Sequence, residues 1–410
     1  MPPLKDIRQR ILGSVVPALA LSLAPLVCGT IARAADWPQW RGPNRDGISH
    51  ETGWNAQSPK VLWKLNLGTG CSSFAVVKDR VFTMGNLNNA DSVYCLDANT
   101  GKTFWAYTYP SARDAKMFDG GPCATPTIDG EFVYSLSRAG LLLCLKRETG
   151  AVVWSKEFQK EFGAKPPGWG YSASPLILDG KLFVDVGAKG ASAVALDKAT
   201  GTVVWKAGDD AASYSSPYGF THGGKQCVAF FNAMGLVVRE AGNGNELLRF
   251  PWKTSWDVNP TTPIVSGDKI FIASGYGRGG VLLPLGRANP APIWQSKDMK
   301  NKMNSCALWQ GCLYGFDESK LACIDFATGA VKWQASGMGL GSLMIADGKL
   351  IILAESGELV IAEASSKAFK QLSKTPAVGG NTWVTPVLSN GRIYCRNHKG
   401  DVVCFDVAKP

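Results

Sequence analysis

The chain has 410 residues, of which 45% are hydrophobic and 19% charged, a globular composition that excludes intrinsic disorder. Its formal charge is +10, and the first 34 residues carry +3 of that, leaving +7 scattered along the remainder without a basic run. Nucleic acid is therefore a poor partner, and the cations read as a solvated surface.

Residues 1–34 have the layout of a secretory signal: Lys5, Arg8 and Arg10, an apolar run from Ile11 to Val27, and "ARA" at 32–34 as a cleavage site. Pro17 and Pro25 inside the run weigh against a retained membrane anchor. Pro25, Leu26 and Val27 ahead of Cys28 lack the small residue that a lipidation site needs. The expectation is an exported, soluble protein, periplasmic or extracellular, monomeric, with no transmembrane segment once the signal is removed. Residues 35–58 follow as an extended leader, "DWPQWRGPNRDGIS" from Asp36 to Ser49 within it. Residues 59–410 hold the folded body.

"PKVLWKLNLG", Pro59 to Gly68, reads as the last strand of a repeat with no repeat in front of it. A recurring unit then begins near a Ser/Thr-Pro, runs apolar, turns at Asp-Gly or Asn-Gly, runs apolar again, and closes on a Thr-Gly turn and a Trp. The clearest copy is "SASPLILDGKLFVDVGAKGASAVALDKATGTVVWKAG", Ser172 to Gly208. "ILDGKLFV" is a tight hairpin, because Asp-Gly accepts the positive φ its turn requires. In "LDKATG" the Asp197 carboxylate is placed to accept backbone N–H groups while Gly201 supplies a left-handed residue. "TVVWK" then alternates as a strand.

Each unit thus predicts four short strands. Units start near Ser72, Ala124, Ser174, Ser216, Thr262, Cys306, Ser342 and Thr385. The fold expected is all-β: an eight-bladed β-propeller of four-stranded antiparallel blades, closed by an N-terminal strand that completes the C-terminal blade. Trp63, Trp105, Trp154, Trp205, Trp294 and Trp333 recur at the blade period and are assigned to packing between blades. "NGNELLRF" and "ASSKAFKQL" put Arg249 and Gln371 in that place. Cys95, Cys144, Cys323 and Cys404 hold one position of the repeat, which suits small core residues better than a disulfide frame. No zinc-type cysteine pairing occurs, and His50, His222 and His398 lie far apart in sequence, so no metal site is predicted.

"LDANTGKTFW" and its copies resemble the repeats of the PQQ-like, or quinoprotein-type, β-propellers, and "DWPQWRGPNRDGIS" resembles the leader found ahead of such propellers in exported bacterial proteins. The resemblance spans most of the chain after the signal. One branch of that family implies quinone-dependent alcohol or sugar dehydrogenases with PQQ and calcium over the ring centre and an Asp base. The other is similar to the BamB-type outer-membrane protein assembly factor, a scaffold that binds envelope protein partners without chemistry of its own. The adjacent Cys-Cys pair of the dehydrogenases is absent here, and "ANPAPIW" at 288–294 occupies a turn-plus-Trp slot rather than a cofactor segment. The resemblance therefore implies a non-catalytic scaffold with no assured cofactor; the alternative is a small PQQ- and Ca-dependent dehydrogenase.

Unusual residues cluster just before the inner strands: Trp169, Tyr171, Trp256, Asp257, Asn259, Asn304, Asn381 and Trp383. They either grip a planar cofactor or small ligand at the mouth of the channel or fill it as a polar-topped core. Asp257 is the nominated base of the enzyme reading. Two long connections, Tyr109 to Pro122 and Phe158 to Gly170, occupy the same place in successive repeats and should project side by side. Arg113, Asp114, Lys116 and Lys165 on them are the predicted partner contacts.

Overall fold

The structure, a computed structural model, describes residues 35–114 and 120–408. The predicted signal segment and Lys116 lie outside the described residues. The described chain forms eight sheets, each with four antiparallel strands that are consecutive in sequence except in the last, the seventh gaining a fifth, parallel strand, so the expected propeller is the fold observed. We number the blades by their inner strands: Ala75–Val77, Thr127–Asp129, Leu176–Leu178, Tyr218–His222, Ile264–Ser266, Ala307–Trp309, Ser342–Ala346 and Val387–Ser389. The eighth blade takes its outer strand from the N-terminal side, where Lys60–Asn66 pairs with Asp401–Asp406 and Trp63 lies opposite Cys404. This pairing fastens the ring and leaves no open end.

The repeat is visible as one cross-strand row per blade. Phe82, Cys95 and Trp105 stand side by side on three adjacent strands, as do Tyr134, Cys144 and Trp154; Phe183, Ala195 and Trp205; Tyr314, Cys323 and Trp333; and Tyr394, Cys404 and Trp63. The small middle residue lets the two rings approach, with centroids 5.8–6.1 Å apart. Cysteine sits at this position because it fills a gap between aromatics, and all ten described cysteines are free thiols.

Each indole then reaches into the following blade. Trp63, Trp105, Trp154, Trp205, Trp294 and Trp333 donate their ring N–H to the carbonyls of Ala98, Arg147, Lys198, Ala241, Phe326 and Ser365 at 2.8–3.2 Å. The first five cover the glycine of the next blade's turn, Gly101, Gly150, Gly201, Gly244 and Gly329, so closely that a methyl group there would meet the indole at 2.6–2.9 Å. That turn is shaped by its aspartate: Asp197 Oδ1 accepts the N–H groups of Ala199 and Thr200 and the Thr200 hydroxyl, and Asp97 and Asp325 do the same in their blades. Trp, Asp, Thr and Gly therefore recur together because the blade interface needs all four.

Residues 35–49 do not lie outside the ring. Trp37 bridges Val76 of the first blade, the Ile128 N–H of the second donates to Pro38, and Ile48–Ser49 adds a parallel strand to the seventh. Arg45, fully buried, donates to the carbonyls of Ser174 and Pro175, and Arg41 donates to that of Cys306. Trp40 donates its indole N–H to Thr262. With the Ser389 hydroxyl of the eighth blade donating to the Ala35 carbonyl, the segment touches seven blades, which places it on the ring axis.

Candidate functional site

The residues just ahead of the inner strands form a hydroxyl-rich girdle around the axis. The Thr125 N–H donates to Ser174 Oγ, Ser174 N–H to Ser216 Oγ, and Thr262 N–H to Ser305 Oγ; the Ser73 hydroxyl donates to the Thr385 carbonyl. These short bonds draw neighbouring blades together at one end of the channel. Above the girdle a cavity of about 170 Å³ opens, lined from seven of the eight blades and by Trp40 of the axial segment. Contributions from around the whole ring fix this cavity on the axis.

Of the predicted residues, Trp169, Asn304 and Trp383 line it. The Trp169 N–H donates to the Tyr214 hydroxyl at 3.2 Å, and the two rings lie 5.9 Å apart. Trp383 donates its indole N–H to Glu355 at 3.0 Å and meets the His398 ring edge-on at 4.3 Å. Asn304 donates to the Gly341 carbonyl and accepts from Thr385.

The other candidates lie elsewhere. Tyr171 is fully buried, donates to the Val186 carbonyl at 2.8 Å, and packs edge-on against Phe158. Asn259 is also buried: its amide donates to the carbonyls of Asn232 and Trp252 and accepts from the Ser274 hydroxyl. Trp256 is 76% exposed at a left-handed φ of 67°. Asp257 is exposed, is left-handed as well, and is not among the residues lining the cavity; its carbonyl accepts from Ser213. Asn381 is exposed, with its carbonyl bonded to the His398 N–H.

Sequence reasoning missed both charged residues of the lining and three of its five rings, Trp40, Tyr214 and Tyr276. Arg138 lines the cavity, held by a bond from its Nε to the Trp169 carbonyl at 3.2 Å. Lys302 lines it 5.0 Å from the centroid of the Tyr276 ring. Tyr214, Tyr276, Cys71 and Cys123 complete this wall. Among the described residues that line the cavity there is no carboxylate, and the charged groups of the lining are Arg138 and Lys302. No three described His, Cys, Asp or Glu side chains converge to hold a metal ion.

A second concavity lies on the same face. The connection after Thr103–Pro110 and the one after Val152–Glu157 stand next to each other and bound a groove of about 660 Å³, walled by Tyr109, Asp114, Glu157, Lys160, Pro166 and Pro167. The second connection opens with one helical turn, Phe158–Phe162, ended by Gly163 at φ 68° and pinned by the buried ring of Phe158. Arg113 and Lys165 are exposed, and the Arg113 N–H donates to Asn89.

Residues 89–335, more than half of the chain, match the family described as outer membrane protein assembly factor BamB. By sequence the chain is 28% identical over 142 residues to the quinoprotein alcohol dehydrogenase PedH of Pseudomonas putida, a match covering 32% of this chain and 22% of that protein. It therefore spans about a fifth of that relative's length. BamB from Moraxella catarrhalis has a similar structure, with a TM-score of 0.63 at 16% identity over 85% of this chain and 100% of that one. The quinohemoprotein alcohol dehydrogenase of Comamonas testosteroni gives 0.55 at 14% identity, over 92% and 81%. At such identities the structural likeness speaks for the fold alone.

Proposed function

Since this chain belongs to the family described as outer membrane protein assembly factor BamB, we propose that it is an exported, non-catalytic scaffold that holds a protein partner of the cell envelope. The supporting observation is the groove between the two longest connections. It stands on a rigid ring, and its walls combine the apolar Tyr109, Pro166 and Pro167 with the charged Asp114, Glu157 and Lys160. Such a mixed, preformed surface suits a polypeptide segment. A photo-crosslinking residue at Lys160 tests this in cells that express the full chain. The expected result is one envelope-protein adduct from Lys160 and none from Asp179, which lies in the hairpin turn on the opposite face; equal adducts from both, or none from Lys160, would refute the proposal.

The chemistry of the cavity weighs against the dehydrogenase alternative. Calcium takes six to eight oxygen ligands, with carboxylates prominent among them, and the described lining offers no carboxylate. Asp257, the nominated base, is exposed and outside that lining. The described residues that line the cavity do not fit a PQQ–calcium centre. Dye reduction by the full protein with PQQ, Ca²⁺ and alcohols or sugars would overturn this reading. What the cavity suits is a small anion with a flat apolar body, set between the rings of Trp169, Tyr214 and Trp383 and facing Arg138 and Lys302. Quenching of tryptophan fluorescence by aromatic carboxylates, lost in Arg138→Ala, is the expected outcome.

A further inference from the structure

Two cysteines depart from the packing role of the others. Cys71 and Cys123 each stand four residues ahead of an inner strand, Ala75–Val77 in the first blade and Thr127–Asp129 in the second. Equal phase in neighbouring blades brings them together. The N–H groups of Cys71 and Ser72 both donate to the Pro122 carbonyl, at 2.9 and 3.2 Å. Beside them the backbones touch: a methyl on Gly121 would meet the Thr69 carbonyl oxygen at 2.5 Å and Gly70 Cα at 3.1 Å. The two thiols are within hydrogen-bonding reach of each other. Both line the axial cavity and both are partly exposed, whereas the other eight described cysteines are buried.

Their surroundings are cationic. Arg138 lines the same wall. Arg396 lies fully buried behind it, and its hydrogen bonds go to the carbonyls of Gly68, Ser72 and Met84 and the hydroxyl of Thr83, none of them an anion. The hydrogen bond from Cys71, helped by Arg138 and Arg396, holds the Cys123 thiol below its ordinary range against the effect of burial. In the packed rows the opposite holds: burial pushes Cys95 up to about 11 and Cys144, Cys323 and Cys404 up to about 12.

We propose that Cys71 and Cys123 form a reversible dithiol–disulfide couple at the mouth of the axial cavity, with Cys123 the attacking sulfur in exchange with a small disulfide. The Cys123 thiolate attacks one sulfur of the incoming disulfide, forming a mixed disulfide and releasing one thiolate. The Cys71 thiolate then attacks Cys123 Sγ, closing the internal disulfide and releasing the second thiolate. The protein gives up two electrons and two protons, and the small disulfide leaves as two thiols.

The folded, full-length protein is equilibrated with glutathione and its disulfide over a range of ratios, quenched in acid, alkylated and digested with trypsin. Oxidation is expected to remove two alkylatable thiols and to join peptide 65–78 to peptide 117–138, and reduced glutathione is expected to reverse this. Cys71→Ser should trap one glutathione on Cys123, and Cys123→Ser should form its adduct on the order of tenfold more slowly. Should either variant fail to fold, sub-stoichiometric iodoacetamide on the native protein decides the order, with Cys123 labelled first. Absence of the 65–78 to 117–138 linkage under fully oxidising conditions overturns the couple. Faster reaction at Cys71 overturns the assignment of the attacking sulfur.

Discussion

The contact between Trp205 and Gly244 offers a quantitative test of how the blades are held together. Trp205 is 8% exposed, lies 5.8 Å from Phe183 of its own blade, and donates to the Ala241 carbonyl of the next at 3.0 Å. Trp205→Ala should cost about 3–5 kcal/mol from lost transfer and the space left behind. Gly244→Ala carries two separate penalties. One is backbone: φ is +78°, and a left-handed residue with a Cβ costs about 1–2 kcal/mol. The other is collision, since the new methyl would meet Trp205 Cε3 at 2.7 Å and Cδ2 at 2.8 Å, an overpacking worth about 1–3 kcal/mol. Only the collision depends on the indole. In the Trp205→Ala background, Gly244→Ala should therefore retain the backbone penalty and lose the other, giving a coupling of about 1–3 kcal/mol. Urea unfolding followed by far-ultraviolet circular dichroism, comparing midpoints at constant m-value, measures all four corners of the cycle. Additivity within about 0.5 kcal/mol would show that the indole does not close on the turn glycine.

Arg45→Ala should destabilise the protein by about 3 kcal/mol, because it strips buried acceptors of a charged donor; those acceptors are Ser174 and Pro175 in the third blade and Gln39. Arg45→Lys should recover less than half of this in the same unfolding assay, since one ammonium lacks the planar fork of a guanidinium. Asp185 predicts a pH dependence: burial pushes its carboxyl from 3.8 up to about 8, with the Ser213 N–H opposing and Asp210 adding to the rise. The folded form holds a proton that the unfolded chain releases, so stability should fall as pH climbs from about 4 to about 8, and Asp185→Asn should flatten that slope and be the more stable form at pH 8. Asn259→Ala should cost about 2–4 kcal/mol for its saturated buried amide, whereas Asn304→Ala, with bonds of 3.3 and 3.5 Å, should leave unfolding nearly unchanged and alter ligand binding alone.

What could be read in the sequence follows the repeat. "DKATG" states its own turn, because the Asp197 bonds span three residues and Gly201 needs only a local conformation. The Trp and Cys periods were legible for the same reason, although only the register explains why a cysteine should face a tryptophan. The cavity was legible in part. Position before an inner strand singled out Trp169, Asn304 and Trp383, but the same rule returned Tyr171 and Asn259, whose bonding partners at Val186 and Asn232 lie 15 and 27 residues away. Whether an amide faces a channel or closes on a backbone depends on such partners. Arg138 and Lys302 carried no signal, since an arginine after "SLS" and a lysine in "NKMN" look like solvated surface. Cys71 and Cys123 did carry one: both lie outside the cysteine slot of the repeat and share a phase of their own.

The segment 35–49 shows why an aperiodic stretch matters in a periodic fold. In a ring of sheets each outer strand turns its edge to the rim, where water can satisfy it, but every inner strand turns an edge toward the axis, where buried N–H and C=O groups need partners. A repeat cannot supply them, because whatever fills an axis must differ from what surrounds it. Here a single non-repeating segment does so: Pro38 accepts from Ile128, Gly47 from Ile345, Trp37 exchanges bonds with Val76, and Arg41 and Arg45 reach the carbonyls of Cys306, Ser174 and Pro175. Two guanidiniums suit this position, since each forks toward several carbonyls at once, and each is left-handed at its own φ, 62° and 55°. With the axis filled by this segment, Trp40 is its one residue lining the cavity, and the rest of that lining comes from the chain ahead of the inner strands. The cavity and the groove between the two long connections share Arg138 in their linings, so both concavities open on the end of the ring that the plug leaves free.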